Sequence, residues 1–295
     1  MKHLKKSDGI RAIFYLAPAF LIIGLFQIYP IIQSFTMSFY TDFDYLSGEV
    51  YARGLDNFYY VLGDPDFHLA LKNTSTFVLF SVPLSMVASL FIAVLLNSSI
   101  KLRGFFRSVY FLPFVTSSVA VSMVWRWIFS KNYGLINQIL SELGFTKISW
   151  LNDPEKTIFI LVILSIWRGL GYKVILFLAG LQAIDEKYYE AAKIDGANSF
   201  KLFSKITLPL LKPTLFFVLI TSVISSFKIF DEVFVIYDKK TGPLKSGLTI
   251  VYYIFDKFYN QWQFSIAAAA TFILFVIILA FTIVQLKIGS KQINK

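Results

Sequence analysis

Apolar residues in this chain gather in runs of about 20, the length an α-helix needs to cross a hydrocarbon core roughly 30 Å thick. Reading those runs and the polar breaks between them predicts six transmembrane helices, over residues 12–36, 74–96, 105–129, 157–181, 213–237 and 265–287. The breaks differ in kind. Residues 37–73 form a long polar segment, and 182–212 a charged, helix-like insert. Residues 238–264 carry a Thr241-Gly242-Pro243 turn signal and the aromatics Tyr252, Tyr253, Phe255, Phe258, Tyr259 and Trp262, which suit a membrane interface. Tails at 1–11 and 288–295 flank the first and last spans. The predicted fold class is an all-α integral membrane bundle of six spans.

Composition agrees with the pattern. Of 295 residues, 56% are hydrophobic and 16% charged, and 32 are phenylalanine; the mean hydropathy is +0.64, which soluble domains rarely reach. The net charge of +10 would suit nucleic acid, but the 28 Lys and Arg lie mostly in the tails and short loops, the pattern of membrane orientation. No nucleic-acid partner is expected. The absence of cysteine excludes disulfides, thiolate metal sites and a cysteine nucleophile. His3 and His68 alone make no metal or catalytic cluster. The apolar stretch after the basic N-terminus runs from Ala12 to about Ser34 without a small-residue cleavage site, so an uncleaved first span is expected.

Flanking charges give the orientation. Lys2, Lys5, Lys6 and Arg11 oppose only Asp8 before span 1, which places that tail in the cytoplasm. Asp42, Asp44, Glu49, Asp56, Asp64 and Asp66 put 37–73 outside, whereas Lys101, Arg103 and Arg107 put the next loop inside. The 182–212 insert and the tail bearing Lys287, Lys291 and Lys295 are again cytoplasmic, so both termini are expected inside. One loop dissents: 238–264 carries Lys239, Lys240, Lys245 and Lys257, yet parity puts it outside.

Within the insert, Asp185-Glu186-Lys187 opens a helix with acids where the dipole favours them. Tyr188 to Ile194 continues it, and Asp195-Gly196 ends it with glycine at a left-handed terminus. Phe200 to Ile206 predicts a second short helix before Pro209, with Pro209 and Pro213 separating the insert from span 5. Ala191 and Ala192 leave a surface of little bulk beside Tyr188, Tyr189 and Glu190. Such a patch admits another backbone closely; it also fits a solvated amphipathic loop in which alanine simply favours helix.

Glu190-Ala191-Ala192, three residues, Gly196, nine residues, Ile206, one residue and Leu208-Pro209 resembles the EAA loop of permease subunits of binding-protein-dependent ABC importers. Gly54-Leu55, Asn57-Phe58, Asp64-Pro65, Phe67 and Asn73-Thr74 resemble the approach to span 2 in sugar permeases of the maltose and glycerol-phosphate type. Gly104-Phe105-Phe106-Arg107, Leu112-Pro113, Trp125, Gly134 to Asn137, Trp167-Arg168-Gly169 and Phe177 to Gln182 extend the likeness. Phe227-Lys228 with Phe230-Asp231 is similar to the carbohydrate branch, whereas Lys239 to Pro243 departs from a Gly-Gly-Pro turn common there. The resemblance implies a MetI-like type I importer bundle in a bacterial cytoplasmic membrane. Its implied partners are a second homologous permease, a cytoplasmic ABC ATPase dimer that holds ATP and Mg, and an extracytoplasmic sugar-binding protein. The ATPase-coupling residues it implies are Glu190, Ala191, Ala192, Asp195, Gly196, Ala197, Ile206, Leu208 and Pro209.

Charges inside the spans are costly, about 2.5 to 3.5 kcal/mol each on insertion scales, and are expected at partners or wet cavities. Arg168 lies about 16 Å into span 4 and Lys228 about 22 Å along span 5 at 1.5 Å per residue. The candidate substrate-pathway residues are Trp167, Arg168, Tyr172, Phe227, Lys228 and Asp231, aromatic faces and polar groups of the kind that hold sugars. Two plainer readings stand beside this one: Lys228 neutralises Asp231 and Glu232 at helical spacings of three and four, and Arg168 pairs with an acid on another helix. Arg126 is expected to snorkel to the interface. Arg168 and Lys228 fit neutral and anionic cargo alike.

Three functions compete. The first is a non-catalytic permease subunit of an ATP-driven carbohydrate importer, which agrees with the absence of a Gly-x-x-x-x-Gly-Lys-Ser/Thr loop. The second is an ion-coupled secondary carrier, motivated by Asp231 and Glu232, although no internal duplication is visible. The third, a membrane enzyme, would need converging catalytic groups at one depth. The first is favoured, with neither cofactor nor metal held by this chain.

Overall fold

A computed structural model describes residues 6–44, 47–98 and 103–293. Two compact units divide them. One comprises the described residues up to Asp64 with Ile254–Phe275; the other comprises Pro65–Tyr253 with the described residues from Val276 onward.

In the first unit, helix α1 (Lys6–Ile23) passes through a π turn, Gly24–Ile28, into α2 (Tyr29–Met37). Its apolar side chains face outward from Ile13 onward, as a lipid-facing span requires. An antiparallel hairpin follows, β1 (Tyr40–Phe43) with β2 (Val50–Arg53), then α3 (Asp56–Gly63). This short hairpin is added to a fold that is otherwise helical, as expected. Asn57 fixes α3 to it by donating to the carbonyls of Ser38 and Tyr40 at 3.0 and 2.9 Å.

The second unit begins with α4 (Pro65–Asn97), followed by α5 (Arg103–Val115), α6 (Ser118–Ile128) and α7 (Leu135–Glu142). Next come α8 (Pro154–Gln182), α9 (Glu186–Ile194), α10 (Ser199–Leu202), α11 (Leu208–Leu210), α12 (Lys212–Phe227), α13 (Asp231–Ile236) and α14 (Ile250–Phe255). The unit boundary falls inside α14, between Tyr253 and Ile254, and the last helix, α15 (Phe264–Ile293), likewise contributes to both units. The core forms where α4, α8 and α12 meet, with Ala93, Val174, Phe177, Leu178, Leu181, Leu211 and Val218 buried together. At Gly171 of α8 a Cβ would sit 2.1 Å from the Tyr110 carbonyl oxygen, so α5 crosses α8 at a distance only glycine allows.

Among the described residues, four helical stretches are long and apolar enough to cross a membrane, Ile13–Met37, Pro65–Asn97, Pro154–Gln182 and Phe264–Gly289. Two bent helix pairs pass the same test together, Gly104–Val115 with Ser118–Ile128 and Ser199–Leu210 with Lys212–Phe227, which brings the candidates to six if each pair is one span. The predicted 105–129 helix turns by 97° between α5 and α6, where Ser117 takes an extended ψ of 130°. The predicted 213–237 helix stops at Phe227 and restarts at Asp231, because Lys228 and Phe230 leave helical geometry. The α4 helix starts at Pro65, within the segment read as polar loop.

Two of the four dissenting lysines have an account. Lys245 pairs with Asp66 at 2.6 Å and Lys257 with Asp64 at 3.2 Å, both acids of the 37–73 segment. Burial alone would push the Lys257 ammonium down, but its bonds to Tyr60 and Asp64 outweigh that and hold it above the usual lysine range. Two of the loop's four lysines are thus paired with acids of that segment.

Candidate functional site

The break between α12 and α13 opens a polar cavity of about 490 Å³, walled chiefly by α8, α12 and α13. Ser165, Arg168, Gly169 and Tyr172 recur at helical spacing and bring one polar stripe of α8 to it. Thr221, Ser222, Ser225 and Ser226 do the same for α12. The irregular backbone stays satisfied: the Lys228 amide donates to Ser225 O at 3.1 Å, and Ile229 O accepts from Thr249 Oγ1 at 3.0 Å. Non-helical backbone at membrane depth is tolerated where it lines such a cavity.

Charge in the wall is partly organised. Arg168 Nη1 meets Glu232 Oε1 at 2.6 Å, with the Glu232 side chain 10% exposed. Asp231 Oδ2 accepts from Ser118 Oγ at 2.6 Å. Lys173 and Lys228 also line the cavity. Phe114 stacks on Tyr172 with centroids 5.0 Å apart and planes at 18°, which gives the wall an aromatic face. Hydroxyls, charges and a flat apolar surface together suit a polyhydroxylated ligand.

Of the sequence candidates, Arg168, Tyr172, Lys228 and Asp231 converge here. Trp167 and Phe227 do not. Trp167 stands edge-on to Trp125 at 5.7 Å and lines an apolar groove with Pro113 and Val124; at about 3.6 residues per turn it lies on the side of α8 opposite Ser165, Gly169 and Tyr172. Phe227 is buried against Phe281 at 5.3 Å. The helical neutralisation of Lys228 by Asp231 and Glu232 also fails, since the helix is broken between them. Arg168 instead makes the interhelical pair. Arg126 pairs with Asp238 at 3.2 Å, both exposed. Sequence reasoning passed over Lys173, Glu232 and the α12 hydroxyls as site residues, although the Thr221 to Ser226 spacing carries the stripe.

The insert builds a second surface. Asp185 caps α9 by accepting from the Lys187 amide at 3.0 Å. Gly196, at φ +74°, closes it: its amide reaches Lys193 O at 3.0 Å and the Ala197 amide reaches Ala192 O at 2.9 Å, the paired bonds of a Schellman terminus. Asn198 caps α10 through the Lys201 amide at 2.9 Å. The second helical run is longer than predicted. A π turn over Phe203–Thr207, closed by Leu208 N–H to Phe203 O, lets it pass Pro209 and end at Leu210, 65° from α12. Tyr189 Oη and Thr207 Oγ1, 3.0 Å apart, join the two runs. Glu190, Ala191, Asp195, Gly196, Leu208 and Pro209 are exposed, and Ala192, Ala197 and Ile206 are half-buried. Ile194 is 86% and Phe200 76% exposed, so the turn presents apolar knobs.

Residues 81–292 match the family described as the binding-protein-dependent transport system inner membrane component. The chain belongs to that family. This permease is 37% identical to the arabinooligosaccharide transport system permease protein AraP of Bacillus subtilis (strain 168), over 96% of this chain and 93% of the relative. It is 35% identical to the lactose transport system permease protein LacF of Rhizobium radiobacter, over 96% and 95%. A crystal structure of a bacterial alginate ABC transporter with an alginate pentasaccharide-bound periplasmic protein shares the fold. There the TM-score is 0.86 at 23% identity, over 100% of this chain and 99% of that one. This permease is therefore a multi-pass membrane protein and a non-catalytic subunit of an ABC importer. The acids that motivated an ion-coupled carrier are engaged, Glu232 by Arg168 and Asp231 by Ser118.

Proposed function

We propose that this permease forms half of the translocation path of an ATP-driven carbohydrate importer in the bacterial cytoplasmic membrane, and that 182–212 docks the ATPase. A second homologous permease completes the path, an extracytoplasmic sugar-binding protein delivers the cargo, and an ATPase dimer binds ATP and Mg. Both termini face the cytoplasm. The sugar cargo of AraP and LacF supports the substrate class.

One observation carries the reading: the insert lies in sequence between the two helices whose polar stripes wall the cavity. From Arg168 to the end of α8 at Gln182 is about 21 Å at 1.5 Å per residue, and α9 starts at Glu186. A displacement of the Ile194 and Phe200 knobs by a closing ATPase pair moves α8 and α12 together, and with them the cavity wall. The cavity holds the sugar by its hydroxyls and by the Phe114–Tyr172 pair. Charge reversal in Glu190→Lys, measured in proteoliposomes with the reconstituted complex, is expected to uncouple ATP hydrolysis from sugar uptake while the complex still assembles in the membrane. Unchanged coupled uptake would refute the docking role.

A further inference from the structure

We propose that the cavity takes a saccharide bearing an oxyanion, carboxylate or phosphate ester, and that Lys173 and Lys228 receive that charge. This rests on the reading of the cavity as the sugar path. The wall holds Arg168, Lys173 and Lys228 against Asp231 and Glu232. Glu232 is taken by Arg168 at 2.6 Å, and Asp231 by the Ser118 hydroxyl at 2.6 Å. Neither lysine has a carboxylate or a hydrogen-bond acceptor among the described residues.

Ionisable groups within the spans mark ligand or ion pathways; Lys173 is half-buried in the wall and Lys228 stands open to the cavity. Their placement is built into the chain. Lys173 Nζ would lie 3.0 Å from a Cβ at Gly169, so the ammonium folds back over a position without a side chain, in the cavity wall. Lys228 projects from the first non-helical residue after α12, where α13 does not supply a partner. Lysine suits a moving cargo: its compact charge accepts an oxyanion from many directions, whereas the arginine fork is already fixed on Glu232. The hydroxyl stripe and aromatic face address the sugar ring, and the lysines its charge.

The test uses the membrane complex in nanodiscs, without the soluble binding protein, and saturation-transfer NMR with digalacturonate, its dimethyl ester and galactose 6-phosphate. Digalacturonate or the sugar phosphate is expected to bind at least about ten-fold more tightly than the ester, the gain of a charge-assisted contact, and whichever anion binds tighter identifies the oxyanion. That preference falls with added salt. Lys173→Gln and Lys228→Gln each bring the anion toward the ester, and Lys173→Arg retains the preference. Equal binding of ester and anion, or anion binding untouched by both glutamine variants, overturns the proposal and assigns the lysines to acids of the companion subunit. Ser225→Trp, which fills the cavity, separates the two readings. If it abolishes binding of acid and ester alike, the sugar-path reading stands whatever the lysines do; if it leaves both unchanged, that reading falls and the charge proposal with it.

Discussion

Removing the carboxylate of Glu232 should destabilise the permease by more than a surface ion pair is worth. Breaking a fully buried pair costs about 3–5 kcal/mol and an exposed one about 0–1 kcal/mol. The side chains here are 10% exposed for Glu232 and 31% for Arg168, at 2.6 Å. An intermediate loss of about 2 kcal/mol is therefore expected for Glu232→Ala. The reverse change, Arg168→Met, should cost more, because it leaves the more buried partner alone. At roughly 2–4 °C per kcal/mol for a chain of this order of size, Glu232→Ala lowers the thermal midpoint of the purified complex by about 4–8 °C. Fluorescence-detected melting in detergent reads it. The double variant Arg168→Met/Glu232→Ala should lose clearly less than the two single losses added together, because removing both partners leaves no stranded charge. If the two single losses simply add in the double variant, within about 0.5 kcal/mol, the pair is not coupled and the account of the cavity wall is wrong.

Asn137 is fully buried and bonds four residues, its NH2 shared among the Ser130, Lys131 and Ile148 carbonyls and its Oδ1 accepting from the Ile148 amide and Trp150 Nε1. Asn137→Ala strands several of them and should cost about 3 kcal/mol, read as a lower melting midpoint with altered Trp150 emission. Gly171→Ala must push α5 off α8, since its Cβ would meet Tyr110 O at 2.1 Å; a loss of about 2–3 kcal/mol and poor recovery of assembled complex are expected. Lys257 has a folded pKa above its unfolded value of about 10.4. Its stabilisation is therefore complete below about pH 10.4 and disappears as pH rises through the folded value. The melting gap between wild type and Lys257→Met should stay constant through neutral pH and close only in strong alkali.

Local chemistry made the insert legible. The capping residues Asp185, Asp195-Gly196 and Asn198 set helix ends by bonds within a few residues, and α9 begins and ends where they dictate. Pro209 misled because a proline removes one amide bond without fixing where the run stops; a π turn absorbs the loss. The spans were legible as blocks but not as shapes. Phe227-Lys228-Ile229-Phe230 contains neither Gly nor Pro, so nothing local marks the break. Long-range bonds hold it instead, Thr249 to Ile229 O and Ser118 to Asp231. The hairpin over 40–53 was hidden in the same way, although Arg53 lies over the Tyr40 ring at 5.3 Å across the pair.

That the break was invisible locally and the stripe was not explains which site residues sequence could find. A polar side chain on an apolar helix declares itself, since burying it in lipid is costly; Arg168 and Lys228 were therefore found. Whether it faces a partner or a void depends on geometry set elsewhere. Once α12 ends at Phe227, Lys228 and Asp231 no longer share a helix face, and Glu232 is free to reach α8. The same break shortens α12 to a rod between the cavity and the insert, packed by Leu211 and Val218 against Phe177, Leu178 and Leu181 of α8. Packed interiors shift as units rather than deform. Under the proposed docking role, movement imposed on the insert reaches the polar stripes through a close-packed helix pair, and the irregular backbone between α12 and α13 is where the wall would change shape.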